Sequence, residues 1–169
     1  MTDAVFQAAF DEHKDAVYRF AWRMSSSASV AEDITQDVFL VLLRDKRFNP
    51  ARGSLRAFLL GIARNLLLKR WRDERRWDEL DEDRFVTAPM DIEQTEIGEI
   101  VGRAVRSLPP LQREAVILAE YDELPLADIA ALVEADVGTV KSRLHRGREN
   151  LRRMLAPLRA TAHGTNGRP

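Results

Sequence analysis

Apolar residues recur along this chain at helical spacing, and no stretch shows the strict alternation of a half-buried strand, so the pattern predicts an all-α protein. Phe6, Phe10, Val17 and Phe20 mark a first helix over 6–24, broken by the polar run Ser25-Ser-Ser-Ala-Ser29. Ile34, Val38, Val41 and Leu42 form the packing stripe of a second helix over 30–44. Pro50 and Gly53 make 48–54 a loop, and Ser54 is a good N-cap for a third helix over 55–76. The stripe of that helix is Leu55, Phe58, Leu59, Ile62 and Leu66. Residues 78–84 open a stretch poor in core formers that runs past Pro89. Helical pattern returns near 92–108, and Pro109-Pro110 starts a helix through Tyr121. Pro157 is expected to end the last helix, leaving 161–169 as a polar tail.

The most informative stretch lies near the C-terminus. Leu126, Ile129, Ala130 and Val133 are the apolar stripe of a short helix, followed by a three-residue break and a second helix over 137–148 that Asp136 can cap. In the second helix Val140, Leu144, Gly147 and Leu151 fall on one side. At about 100° per residue, Gly138, Ser142 and His145 lie opposite, flanked by Lys141 and Arg146. One face packs and the other offers short polar and cationic side chains, which is what a recognition helix needs to enter a major groove. A solvated amphipathic helix would look similar. Charge tells against that reading, because seven Lys/Arg stand between Lys141 and Arg159 against the single acid Glu149.

The net charge of −1 hides a segregation. Residues 1–77 carry 14 basic and 10 acidic side chains, 78–107 carry 3 and 9, and 108–169 carry 9 and 8. The pattern suggests two modules with basic surfaces, 1–77 and 108–160, joined by an acidic linker and lead-in helix over 78–107. Because the linker is poor in core residues, the modules are expected to fold separately and to move relative to one another. A second basic surface runs from Arg44 to Arg76, with eleven Lys/Arg, three acids, and Phe48, Phe58, Trp71 and Trp77 interleaved. Cations neutralise phosphates and exposed aromatics stack on unpaired bases. Phe58 reads better as core, whereas loop residue Phe48, beside Asn49 and Arg52, fits either role.

Other chemistry is sparse. The chain has no cysteine, which excludes disulfides, thiolate metal sites and cysteine catalysis, and places any thiol-based redox sensing in a partner. His13, His145 and His163 are scattered without metal-ligand partners, there is no glycine loop for phosphate, and the carboxylate pairs Asp11/Asp15 and Asp33/Asp37 read as solvated helix faces. No catalytic residue, metal or cofactor is therefore expected. No apolar run approaches the roughly 20 residues of a membrane span, and the N-terminus does not read as a secretory signal, so the expected location is cytoplasmic.

In their order, these segments resemble the extracytoplasmic-function (ECF) sigma factors of bacterial RNA polymerase. Ala31-Glu-Asp-Ile-Thr-Gln-Asp-Val-Phe39 is similar to that family's region 2.2, Phe58-Leu-Leu-Gly-Ile-Ala-Arg-Asn65 to its region 2.4, Leu108-Pro-Pro-Leu-Gln-Arg-Glu114 to the opening of region 4, and Gly138-Thr-Val-Lys-Ser-Arg-Leu144 to its recognition helix. The resemblance implies a region 2-like bundle and a region 4-like helix-turn-helix, with core RNA polymerase, promoter DNA and an anti-sigma factor as partners. Asp33, Gln36, Asp37 and Leu40 would dock on the clamp of the largest subunit, and region 4 near the flap. Phe48, Asn49, Arg52, Arg64 and Asn65 would hold the single-stranded −10 element with a base flipped out, while the acidic linker threads toward the RNA exit path. Gly138, Thr139, Lys141, Ser142, Arg143, His145, Arg146 and Arg148 would read the −35 duplex, with Arg143 and Arg148 on phosphates. A sigma-like decoy for an anti-sigma factor and a plain helix-turn-helix regulator are the alternatives. The chain departs from the family pattern at five positions. Glu134 stands where the turn usually has Gly, Pro125 where a Ser or Thr caps, Phe58 and Leu60 where Trp and Tyr are frequent, and Val41 where a basic residue is common. A left-handed backbone would cost Glu134 on the order of 1 kcal/mol, so a turn of different shape is expected there.

Overall fold

The computed structural model describes residues 1–45, 47–74 and 96–164, the side chains of the last helix through residue 160. Within them lie seven α-helices and no strand. Helix α1 (Asp3–Ser25) starts where Thr2 Oγ1 accepts from the Val5 N–H, and ends at Ser26, whose left-handed backbone turns the chain into α2 (Ala28–Arg44). Ser27 Oγ caps α2 at 3.2 Å from the Val30 N–H. The loop that follows holds a short 3-10 turn (Pro50–Arg52), with Asn49 Oδ1 accepting from the Ala51 N–H. Ser54 caps α3 (Leu55–Asp73) through the Ala57 N–H, as its position before the apolar stripe implied.

These three helices bury Val17, Phe20, Ile34, Val38, Leu59 and Leu67 among them, each worth about 1.5–3 kcal/mol if fully removed from water. Phe10 meets Phe39 edge-on at 4.8 Å between ring centres, closing the open end of the α1–α2 pair. The stripe of α3 differs from the expected one. Leu59, Leu60, Ala63, Leu67 and Trp71 are its buried positions, whereas Leu55, Phe58, Ile62 and Leu66 are only half-buried. Helix α3 is apolar on two faces: one packs on α1 and α2, and the other looks toward the C-terminal helices. Trp71 is therefore core and not a stacking platform in the basic run, and Trp77 lies outside the described residues.

Helix α4 (Ile97–Ser107) packs Ile100, Ala104 and Val105 inward and touches both α1 and α7. Helix α5 (Pro110–Val116) widens into a π-turn (Ile117–Tyr121), where the Asp122 N–H reaches back to the Ile117 carbonyl at 3.0 Å. Helices α6 (Leu126–Val133) and α7 (Val137–Gly164) form the helix-turn-helix. The turn keeps the left-handed geometry despite its side chain. Glu134 has φ 54° and ψ 46°, and the Ala135 N–H bonds to the Ala130 carbonyl at 3.0 Å. Closing the α6 carbonyls in this way outweighs the strain, so the expectation of an altered turn is corrected. Pro125 supplies no side-chain cap, but its carbonyl accepts from the Asp128 and Ile129 N–H groups. Helix α7 also continues through Pro157 to Gly164, so 161–164 are helical rather than tail. Proline removes one backbone donor, and Leu158, one residue later, is half-buried.

The two modules are in contact in this structure, and the acidic linker between them lies largely outside the described residues. Helix α3 lies on α6, and α1 on α4 and α5, so a single apolar cluster runs from Val17 and Leu59 to Ile117, Leu118 and Ile129. A Cβ placed on Gly61 of α3 would sit 3.6 Å from Leu132 Cγ of α6. The second apolar face of α3 is what makes this contact possible.

Candidate nucleic-acid and polymerase interfaces

The exposed side of α7 carries Gly138, Lys141, His145, Arg146 and Arg148, with Thr139, Ser142 and Arg143 half-buried beside them. Val140 and Leu144 hold the opposite side in the core. Arg146 Nη2 donates to Ser142 Oγ at 3.0 Å, which orients the guanidinium along the outer face. Arg148 is already paired with Glu120 at the end of the π-turn, a partner the sequence pattern did not reveal. The basic face is thus presented by a helix packed on α5 and α6.

The second site is built around α3 and the loop before it. Phe48 packs on Phe58 with ring centres 5.3 Å apart, and Phe58 is half-buried at the edge of the core, as its place in the apolar stripe implied. Phe48, Asn49, Arg52 and Asn65 converge on one cavity of about 690 Å³. Lys69 and Arg72, one and two turns beyond Asn65 on the same face, line it as well; their i+4 and i+7 spacing was the available signal. The far wall comes from α6, through Asp128, Ala131, Leu132 and Glu134. Arg47 lies at the rim and donates to Asp45, which holds that carboxyl below the usual carboxylate range. Leu60 is fully buried, so the position where the family often has Tyr faces the core here.

Arg64 does not join its neighbour Asn65. It turns inward, and its Nε and Nη2 donate to Glu114 Oε2 and Oε1 at 2.8 and 3.1 Å. Arg64 retains 8% of its exposure and Glu114 2%. Nearby, Arg56 Nη2 donates to Asp122 Oδ1 at 2.7 Å. Burial pushes the Asp122 carboxyl up from its ordinary value, and the surrounding Arg56, Arg23 and Arg19 offset only part of that. Arg23 stacks over the Tyr121 ring and Arg106 over Trp22, both across the seam between the two halves.

The third face is on α2. Asp33, Gln36, Asp37 and Leu40 are all exposed on one side of the helix, with Leu43 beyond them. Leu40 and Leu43 keep 46% and 51% of their exposure, an apolar pair in a setting of carboxylates. Arg70 of α3 reaches Asp33 at 3.4 Å and leaves Asp37 on the outer side.

Comparison with known proteins places both halves of the chain in one family. Residues 9–77 match the family model Sigma-70 region 2, and residues 98–151 match Sigma-70, region 4. The ECF RNA polymerase sigma factor SigW of Bacillus subtilis is 30% identical over 168 residues, covering 90% of each chain. The chain belongs to the ECF sigma factors of bacterial RNA polymerase. SigE of Mycolicibacterium smegmatis is 37% identical over 153 residues, which are 86% of this chain and 59% of that longer one. Among solved structures, the sigma factor RpoE of Bartonella quintana, in complex with the anti-sigma factor NepR, superposes with a TM-score of 0.68 at 28% identity, covering 89% of this chain and 96% of that one. Among the described residues of this sigma factor, no helix is long and apolar enough to cross a membrane.

Proposed function

We propose that this sigma factor carries core RNA polymerase to promoters through three faces with separate tasks. The α2 face, Asp33, Gln36, Asp37 and Leu40, docks on the polymerase clamp. The α7 face reads the −35 duplex, with Lys141, Ser142, His145 and Arg146 on base edges and Arg143 on phosphate. Arg148 reaches phosphate only by giving up Glu120. The loop and α3 face captures the −10 strand: Phe48 and Phe58 offer ring surface to an unpaired base, Asn65 offers amide hydrogen bonds, and Arg52, Lys69 and Arg72 meet phosphates. Base–aromatic stacking is worth about 1–3 kcal/mol per base, which offsets part of the cost of melting. The chemistry of RNA synthesis belongs to the polymerase, so the protein acts in the cytoplasm as a specificity subunit without a cofactor of its own.

The observation that carries this reading is the convergence of Phe48, Asn49, Arg52 and Asn65 on one cavity of nucleotide size, in a chain that also presents a basic recognition helix. A plain helix-turn-helix regulator has no use for the first of these features. A decoy has no use for the exposed cations of α7. The Bartonella relative was solved with an anti-sigma factor, and an anti-sigma partner is proposed here also; in the absence of cysteine, any thiol signal reaches this protein through it. Run-off transcription with core polymerase on a promoter library, with and without the protein, is the test. Transcripts that depend on the protein and start at a common motif support the reading. Specific duplex binding without any new transcript would favour the regulator.

A further inference from the structure

We propose that the cavity between α3 and α6 binds a free ribonucleoside polyphosphate. The base lies on the Phe48 and Phe58 rings, the phosphates on Arg52, Lys69 and Arg72, and the ribose hydroxyls on Asp128 and Glu134 of α6. This site overlaps the one proposed for the −10 strand, but it rests on the cavity's own lining rather than on that reading.

Charge in this part of the fold is mostly spent. Arg47 pairs with Asp45, Arg56 with Asp122, Arg64 with Glu114 and Arg70 with Asp33. Five charges of the cavity lining are not. Arg52, Lys69 and Arg72 on one side and Asp128 and Glu134 on the other make no ion pair among the described residues, with each other or with any third group. Opposite charges held a cavity's width apart in contact with water gain little from one another, so each keeps its capacity for a guest. Between them lie the two rings, the exposed amide of Asn65 and an apolar floor at Ile62 and Leu66. A space of about 690 Å³ with an apolar floor and a few converging polar groups has the size and make-up of a small-molecule site.

Each group selects one part of the ligand. Aromatic faces take a planar base. Two guanidinium forks and an ammonium take a chain of phosphates. Carboxylates repel phosphate and accept from hydroxyls, so of the parts of a nucleotide only the sugar suits the α6 wall. A free ribonucleotide offers that wall two adjacent hydroxyl donors, and a deoxyribonucleotide offers one. The α6 carboxylates therefore favour ribose, a preference that a site for DNA alone gives no reason to expect. A nucleoside without phosphates would leave the cations unused, and a bare polyphosphate would leave the rings and carboxylates unused. A bound nucleotide and an unpaired −10 base would compete for the same ring surface.

Equilibrium dialysis of the full chain tests this, with ATP, GTP, CTP and UTP, their deoxy counterparts and inorganic triphosphate as probes. Saturable binding of at least one ribonucleotide is expected, with its deoxy counterpart about tenfold weaker and inorganic triphosphate weaker again. Phe48→Ala should weaken the ribonucleotide about tenfold and leave inorganic triphosphate unaffected. Asp128→Ala combined with Glu134→Gly should bring the ratio of ribonucleotide to deoxyribonucleotide affinity to about one, with the deoxyribonucleotide still bound. A merely structural role of the two carboxylates would not move that ratio. Equal affinity for ribose and deoxyribose forms in the parent, inorganic triphosphate bound as tightly as any nucleotide, or no nucleotide retained at all overturns the proposal. Anisotropy of a labelled random-sequence single DNA strand, with and without saturating ribonucleotide, separates the site from the −10 reading. Displacement of the strand supports both. A protein that binds the nucleotide and ignores the strand keeps this site and removes the −10 reading, and one that binds the strand but no nucleotide does the reverse.

Discussion

Gly147 of α7 lies so close to Val116 of α5 that a Cβ on the glycine would stand 2.7 Å from Val116 Cγ2. The recognition helix is seated on α5 by this approach, with Leu144 one turn earlier in the same small core as Leu108 and Ala115. The buried amide pair Asn150–Gln112, at 2.8 Å, fixes the next turn. Gly147→Ala must push the helix away from a β-branched side chain that has little room to yield. A loss of about 1–3 kcal/mol in the stability of the C-terminal half is expected, with weaker duplex binding although no cation has changed. Thermal melting and duplex titration of the variant check this; unchanged melting would mean that α7 shifts freely.

Glu134 is held at positive φ by a pattern of bonds that any residue could make, but that glycine makes without strain. Glu134→Gly should therefore raise stability by up to about 1 kcal/mol, less what glycine's extra freedom costs in the unfolded chain. Denaturant unfolding measures the change. A destabilised Gly variant would show that the Glu134 side chain earns its place at the cavity wall.

Asp122 offers a pH test of the seam. Its folded value stands above the ordinary 3.8, chiefly through burial. The stability it contributes is full below the unfolded value and is lost as pH rises through the folded one. Asp122→Asn keeps an acceptor for Arg56 and removes the charge, so it should abolish this loss and leave the variant the more stable protein at neutral pH. Melting curves of both proteins across the acidic range check it; parallel pH profiles would mean that Arg56 fully compensates the buried carboxylate.

Lys141 and Arg146 are exposed on α7 and flank Ser142 and His145. Replacing either by Ala should alter sequence preference at one position of the −35 element, by about 1–3 kcal/mol where the contact is bidentate. A binding-site selection with each variant reads this out. The same consensus from both would move these residues to the phosphate class.

Much of this was legible along the chain because local rules governed it. Ser54 precedes an apolar stripe and caps it, and Gly147 falls on the packed side of α7 by simple periodicity. What was hidden depends on which element covers a face. The pattern of α3 shows an apolar helix but not that Phe58, Ile62 and Leu66 look toward α6 while Leu60 and Trp71 take the core. Arg64 stands in a basic run, and only folding brings Glu114, 50 residues away, against it. Pro157 marked a helix end by a rule that holds for donors, yet one lost bond does not end the helix, which runs on to Gly164.

Asn65 is the residue on which the −10 reading is most exposed to test. It is the exposed amide of α3 at a cavity that also holds Phe48, Asn49 and Arg52, and its side chain makes no hydrogen bond among the described residues. Asn65→Ala should therefore melt like the parent, bind core polymerase through the untouched α2 face and bind −35 duplex through α7. Promoter opening should nonetheless fall, because an amide that can hydrogen-bond a flipped base is gone from a site where stacking alone remains. A template with a pre-melted −10 bubble would restore only part of the activity, since the lost contact is to the strand itself and not to the act of melting. Permanganate footprinting of open complexes on intact duplex gives the decisive number. Parental levels of open complex would remove Asn65 from the site and leave Phe48 packed on Phe58 as a cap of the core.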